Sequence, residues 1–574
     1  MLDKIHIANS LREIAAFLRV KGEPSYRVRA YERGAGAVDA VADLERLVAE
    51  QRLTDLPGIG PSLAGVIREL HQTGHSRLLD RLHQEIPAAV VALAQVPGIS
   101  RKKAEQIHRE LGVSTSGDLM AACDAGRLRE LHGMGPKTEA RIRSAIQRFE
   151  DRQETLVLTA AEELARTLLA HVEACPDVIQ GEIAGALRRW HETVDSIELV
   201  ATSRDPAQAR AHFARHPLVV RAVPSMNQDA DACAVKLSSG ITATLYAVEP
   251  ERAGAVMLRA TGSAAHAQAL DRLAAQRGLS LAALRGRSEA EVYEQLGLPY
   301  IPPELREGEG EIATAQAGRM PLDLVTAGDV CGALHCHTVY SDGKHTIEEM
   351  ARAAEALGYS YLTITDHSPT AHYAGGVTLD RLEAQWDEIA RVQERVNIRL
   401  LRGAESDILA DGSLDYPVEI LEQLDVVIAS VHSRLGMDED AMTRRLVAAM
   451  RQPVFKIWGH PLGRLIQRRD PCVCRVDEVL DAAAENRVAI EINGDPRRLD
   501  LPPTWVRKAR ERGIPFVLSS DAHSTRGLAN VRYAAAMARR GWLRRGDVLN
   551  TLPAPDFAQV VSPACAASRA VLTH

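Results

Sequence analysis

Between residues 332 and 523 the sequence passes seven times from a short apolar stretch towards a stretch of helical spacing, and almost every apolar stretch ends in histidine, aspartate or glutamate. The stretches that read as strands are Leu334–Thr338, Tyr361–Thr365, Leu400–Glu405, Val426–Val431, Val454–Gly459, Val488–Asn493 and Pro515–Ser520. Helices are expected over 346–357, 378–396, 439–451 and 503–512. Strands alternating with amphipathic helices predict a parallel, barrel-like (β/α)7 sheet. Side chains that do chemistry on such barrels gather at the C-terminal ends of the strands.

The first strand carries His335 and His337, two residues apart and so on one face, with Asp342 beyond a turn. The second ends at Asp366-His367, the third at Glu405, the fourth at His432, the fifth at His460 and the last at Asp521 and His523. Any one of these histidines alone reads as an ordinary polar side chain. Six of them at strand ends, with Asp342, Glu405 and Asp521, predict a metal centre. Imidazole mixed with carboxylate suits Zn²⁺, Mn²⁺ or Fe²⁺, and such a centre suits hydrolysis of a phosphate ester. His345 and His372 match no ligand position and read as bystanders. Arg464 and Asn493 lie at or after strand ends and are candidates for contacting a substrate phosphate, although a loop ion pair or a turn amide explains them equally well.

The first 150 residues read as almost entirely helical, with a short motif repeated three times. Leu56-Pro57-Gly58-Ile59-Gly60, Val96-Pro97-Gly98-Ile99-Ser100 and Leu131-His132-Gly133-Met134-Gly135 each precede a helix with an apolar face. They resemble helix-hairpin-helix motifs. Glycine permits the tight turn, and backbone N–H groups at the next helix start can hold a DNA phosphate without reading sequence. Gly58, Gly60, Gly98, Gly133 and Gly135, with Arg101, Lys102, Lys103 and Lys137, are the expected DNA contacts.

From about 155 the pattern becomes mixed α/β. Gly185-Ala186-Leu187-Arg188-Arg189, followed by Asp195-Ser196-Ile197-Glu198, resembles the palm of family X DNA polymerases; Thr261-Gly262-Ser263 and the run 292–307 also look like bacterial members. The C-terminal ligand set resembles the PHP (polymerase and histidinol phosphatase) domain. That resemblance implies three ions: one on His335, His337, Glu405 and Asp521, a second on Glu405, His432 and His460, and a third on Asp342, His367 and His523. Asp342, Glu405, Asp521 and His432 are then the expected catalytic positions.

The departures from the family pattern are concentrated in the palm. The family's Asp-x-Asp pair falls on Ser196 and Glu198, and its third carboxylate on Thr244. Ala186, Arg259-Ala260 and Ala267 replace residues of the nucleotide pocket. Two-ion nucleotidyl transfer needs several anionic ligands, so the expectation is a silent palm. Val66 and Ser62 stand where a relative places lysines, and without an amine no sugar-phosphate lyase is expected at this site.

At 574 residues the chain needs several cores. Residues 1–150 hold 22 basic against 19 acidic residues, net +3, and the remainder 47 against 57, net −10. The balance favours no partner by itself. The eight cysteines are scattered, as in a reducing compartment. No run suits a membrane span and the start does not read as a signal peptide.

The expected organisation is multidomain: helical regions over 1–85 and 86–150, an α+β palm and thumb over 151–316, a linker over 317–330, and a distorted (β/α)7 PHP barrel over 331–574. The expected protein is bacterial, cytoplasmic, nucleoid-associated and monomeric. It acts in repair on gapped, nicked or 3′-ended DNA as a metal-dependent 3′–5′ exonuclease with Mn²⁺ or Zn²⁺, and abasic-site endonuclease or 3′-phosphatase activity is compatible with the same centre. The alternatives are an active gap-filling polymerase with exonuclease, and a phosphatase for a small phosphomonoester.

Overall fold

Apolar residues at helical spacing make the first 154 residues a set of short helices around one core that runs from Ile7 to Ile146. The computed structural model describes residues 4–40, 44–56, 58–94, 96, 99–153, 155–223, 230–237, 240–321 and 323–563. In the first and third hairpins a glycine takes the left-handed conformation that a side chain would disfavour, Gly58 at φ +82° and Gly133 at φ +77°. Ile59, Ile99 and Met134 are buried at the tips. Helices Pro61–Thr73, Arg101–Leu111 and Pro136–Gln153 then start from Gly60, Ser100 and Gly135. Gly60 has no side chain to cap its helix, whereas Ser100 accepts from Lys103 N. Gly98 lies outside the described residues. Arg101 is paired with Glu105 at 2.7 Å, while Lys102 and Lys137 are exposed.

The second unit runs from Thr155 to His574, and its described residues hold two large sheets and a two-stranded pair, Leu156–Val157 with Thr193–Val194. The palm sheet comprises β1 (Val178–Ile183), β2 (Ser196–Ser203), β3 (Val219–Val223), β4 (Ala232–Leu237) and β5 (Thr242–Val248), in the order β1-β2-β5-β4-β3. Within it β2 and β5 are parallel, and Glu198 lies opposite Thr244. The thumb helices over 253–316 have their own core. Arg188 and Arg306 both bind Glu289, and Arg189 binds Glu307, so these palm and thumb cations are neutralised by thumb carboxylates.

The barrel strands are β6 (Gly332–Cys336), β7 (Tyr361–Ile364), β8 (Arg399–Asp407), β9 (Val426–Ser430), β10 (Ile457–Trp458), β11 (Ala489–Asn493) and β12 (Phe516–Ser519), all parallel and in sequential order. Ala522 N donates to His335 O and His337 N to Ala522 O, bringing the chain after β12 back to β6. The seven-strand barrel is as the sequence pattern predicts. Its fifth strand is shorter than expected: only Ile457–Trp458 pairs, because residues 452–455 form a turn around Pro453, closed by Phe455 N donating to Gln452 O, that buries Val454 and Phe455.

Residues 317–330, expected as a linker, are fastened to the barrel. Val325 is fully buried and its N–H donates to Leu543 O. One apolar cluster runs continuously from palm residues such as Leu158 and Leu245 to barrel residues such as Phe516 and Met537. Polar contacts follow the same seam: Glu162 with Arg532 and Tyr533, Glu304 with Arg539, and Glu192 with Arg540 and Arg464.

Glu192 offers a test of this seam. Burial alone would raise its carboxyl, but Arg540 and Arg464 outweigh burial and hold it at about 2. Glu192→Gln leaves both guanidiniums without their counter-charge, and we expect it to cost about 2 kcal/mol at pH 7. That lies below the range for a fully buried pair, because the Glu192 side chain is 20% exposed. Because the folded-state pKa is depressed, this stabilisation is complete above the ordinary glutamate value and is lost as pH falls towards 2. Denaturant melts of wild type and variant should therefore differ at pH 7 and converge in acid.

Candidate metal centre

The local fold brings the predicted ligands together by a route that simple strand alternation does not describe. The pairing of β6 with β7 shifts between Ala333 and Cys336, and His335 sits at φ +56°. Asp521 at φ +49° and His460 at φ +21° also have positive φ. Non-glycine residues held in sparsely populated backbone regions cost of order 1–3 kcal/mol each and cluster at functional sites. The shared face expected for His335 and His337 is therefore made by a left-handed residue in an irregular strand end.

Glu405, fully buried at the end of β8, is the hub. His335 Nε2 and His432 Nε2 lie 3.2 Å from its Oε1, and His460 Nε2 lies 2.8 Å from it. On Oε2, His367 Nδ1 approaches to 2.8 Å and His337 Nε2 to 3.7 Å. Asp521 Oδ1 is 3.4 Å from His337 Nε2, and Asp342 Oδ1 is 3.3 Å from His523 Nε2. The nine residues form overlapping groups of close ligand atoms: His337, Asp342, His367 and His523; His335, His337 and Asp521; His335, Glu405 and His460; and His367, Glu405 and His432. The expected third set thus gains His337, and Glu405 borders two groups.

The donor set fits divalent metal ions. His335 Nε2, both ring nitrogens of His337 and His460 Nδ1 are buried without a hydrogen-bond partner, and His367 Nδ1 and Glu405 Oε2, though 2.8 Å apart, form no aligned hydrogen bond, an arrangement that is costly unless a ligand satisfies them. Burial, with His523 and His367 alongside, pushes the His337 imidazole down to about 3. Burial with Arg498 alongside takes His460 to about 4, so both rings are neutral donors at pH 7. Burial alone would raise Glu405, but His432, His335 and His367 hold it well below the usual carboxylate range.

Several supporting residues were missed from the sequence. Glu491 pairs with His335 Nδ1 at 2.5 Å and accepts from His460 N. Asp407 pairs with His432 Nδ1. Both have a legible signal, since Asp407 lies two residues past Glu405 and Glu491 two before Asn493 on one strand face. Asp366, expected beside His367 as a candidate ligand, instead accepts from Thr338 N and Oγ1, Ser341 Oγ and Gln385 Nε2. It orders the loop that carries Asp342. Of the two readings left open for Arg464, the structure shows the ion pair: its guanidinium is taken up by Glu192 and the carbonyls of Arg498 and Leu499. The cation beside the cluster is Arg498, with Nε 3.0 Å from Asp521 Oδ2 and Nη1 buried without a partner. Asn493 Nδ2 lies 3.3 Å from both Glu491 Oε2 and Asp521 Oδ2, and so orients ligands.

In the palm, Glu198 belongs to no metal-type group among the described residues. Burial raises its carboxyl, Oε2 has no partner, and Ser196 Oγ donates to Asp195 at 2.9 Å. Thr244, opposite, is not an anionic ligand. Cys472 and Cys474 are buried, and burial pushes their thiols up to about 12 and about 11.

Residues that orient metal-bound histidines typically contribute 10- to 100-fold to metal affinity. Glu491→Ala should therefore weaken metal retention by about that factor, read as metal content after titration with a competing chelator. Unchanged retention would mean that Glu491 does not support the centre.

Comparison with known proteins agrees with this architecture. The PHP domain family matches residues 333–495, a helix-hairpin-helix domain 3–76, a SAM-like helix-hairpin-helix tandem 90–148, and the DNA polymerase beta thumb 256–307. The DNA polymerase/3′-5′ exonuclease PolX of Bacillus subtilis (strain 168) is 32% identical over 97% of this chain and 98% of its own length. A probable phosphatase of Caldanaerobacter subterraneus subsp. tengcongensis is 34% identical over 36% of this chain and 79% of its own. Another, from Thermoanaerobacter sp. (strain X514), is 30% identical over 38% and 89%. With helical hairpins, thumb and metal-type barrel in one chain, and a relative matched along nearly its full length, the chain belongs to the family X DNA polymerases that carry a C-terminal PHP domain.

Proposed function

We propose that this protein hydrolyses DNA phosphodiesters from a 3′ end at the barrel cluster, in a metal-dependent way, and that its palm is a scaffold without nucleotidyl-transfer activity. The observation that carries this reading is the contrast between two carboxylate sites in one chain. Glu405 has five imidazoles within 3.7 Å, with Asp521 and Asp342 beside the same rings. Glu198 has Thr244 across the sheet and Ser196 two residues before it. A lone carboxylate that burial drives towards its neutral form is a poor ligand for Mg²⁺. The printed name of the Bacillus relative joins a polymerase to a 3′-5′ exonuclease; the second activity is the one this chain's residues support.

Divalent ions held by the nine residues, Zn²⁺ or Mn²⁺ by the donor chemistry, would supply Lewis acidity at the phosphoryl group. The chain's own contribution is positional. Glu491 and Asp407 fix the tautomers that leave His335 Nε2 and His432 Nε2 as donors. Asn493 sets the Asp521 carboxylate. Arg498 presents a guanidinium to the scissile phosphate, the role first considered for Arg464. Lys102, Lys103, Lys137 and the helix starts at Gly60 and Gly135 hold duplex phosphates without regard to sequence. Abasic-site cleavage and 3′-phosphate removal use the same bond class and belong to the same proposal.

A second reading, hydrolysis of a small phosphomonoester, is favoured by the probable phosphatases that match the barrel alone. The helical hairpins weigh against it as the sole activity, since a small substrate needs no duplex clamp.

The test uses a 5′-labelled gapped duplex with Mn²⁺, with and without dNTPs, for wild type and His335→Ala. The expected result is a ladder of shortened products that is absent in the variant, with no product longer than the primer. Primer extension would overturn the silent palm. An uncut duplex alongside turnover of a small phosphomonoester would overturn the nuclease in favour of the second reading.

A further inference from the structure

We propose that Tyr373 is the stacking platform for the nucleobase next to the scissile phosphate, so that the cleft favours a strand end whose terminal base is intact. This inference rests on the nuclease reading above. Tyr373 belongs to a single 3-10 turn, His372–Ala374, in the loop that follows His367. Its residue surface is 72% exposed, yet its ring centroid lies 6.2 Å from that of His367 and 6.3 Å from that of His432, edge-on to both. Among the described residues it is the one ring other than histidine in contact with imidazoles of the cluster.

An exposed tyrosine is unremarkable by itself. This one is held by a braced turn. Ala371, Ala374 and Val377 are buried on its inner side. Val377 N donates to His367 O at 2.8 Å, and Ser368 N to Glu405 O at 3.0 Å. Thr370 N and Oγ1 both donate to Asp415 Oδ2, at 2.7 and 2.9 Å. Gly376 packs so closely on Ser368 that an added Cβ would stand 2.1 Å from its carbonyl oxygen. The backbone that fixes His367 in the centre therefore also fixes Tyr373 at its rim.

The cluster attracts the phosphate, and the nucleoside attached to that phosphate must project towards the rim. An aromatic face fixed there offers stacking to any base, because every base has a π-face, and so adds affinity without sequence preference. That complements the sequence-indifferent grip expected of the hairpins.

The experiment compares two 3′ ends on one duplex, one with a normal terminal nucleoside and one with a base-free tetrahydrofuran residue. For metal-loaded wild type we expect KM to rise roughly 10-fold or more when the base is removed. Tyr373→Ala should show that same high KM on both ends, with kcat and metal content unchanged, and Tyr373→Phe should behave as wild type. If Tyr373→Ala keeps the wild-type ratio, or if Tyr373→Phe loses it, the stacking role is overturned while the nuclease stands. If wild type shortens neither strand, the nuclease reading falls and this inference falls with it.

Discussion

A buried carboxylate ringed by imidazoles organises the second unit of this protein. Glu405 has no exposed surface, and five histidines from four strand ends converge on its two oxygens. Withdrawing an ionised carboxylate from water costs several kcal/mol unless opposite charge and hydrogen bonds accompany it. Here the carboxylates outweigh burial and raise His335 and His432, while burial holds His337 and His460 well below the ordinary histidine range as neutral donors, and divalent cations complement such a mixed imidazole and carboxylate set. Much of the surrounding structure serves that arrangement. Positive φ at His335 and Asp521 aims two ligands inward; Glu491 and Asp407 fix ring tautomers; Asp366 ties down the loop to Asp342.

The palm contrasts with the barrel in its contacts. The positions that would hold ions carry a serine, a threonine and one glutamate that burial drives towards neutrality. Arg188 and Arg189 of the palm are committed to Glu289 and Glu307 of the thumb. What the palm retains is packing. Its apolar core is continuous with that of the barrel, and the segment expected as a linker is anchored through buried Leu324 and Val325. A silent palm, as proposed, is compatible with an intact fold, because the substituted positions are polar ones and the apolar ones still bury their surface.

Much of this was legible in the sequence because it depends on periodicity. Seven strands followed from apolar runs bounded by turns, and all nine candidate ligands came from the rule that barrel chemistry sits at strand ends. That Glu198 and Thr244 lie on neighbouring strands was likewise anticipated from the family motif. What escaped depends on geometry that no pattern of spacing carries. Left-handed backbone at His335 is invisible to alternation. Arg464 and Arg498 are only 34 residues apart and equally plausible as phosphate ligands, and only the fold decides that Glu192 captures the first while the second reaches Asp521. Glu491 and Asp407 could have been found by looking two residues from each predicted ligand along its strand. Tyr373 could not, because an exposed aromatic gains meaning only from what lies beside it.

The central claim is that metal chemistry has passed wholly from palm to barrel, and anomalous diffraction from crystals of the full chain equilibrated with Mn²⁺ tests it most directly. The account predicts strong peaks among His335, Glu405, His432 and Asp521 and no peak at Glu198. A well-occupied Mn²⁺ site on Glu198 and Asp195, or a barrel cluster without metal, would contradict it.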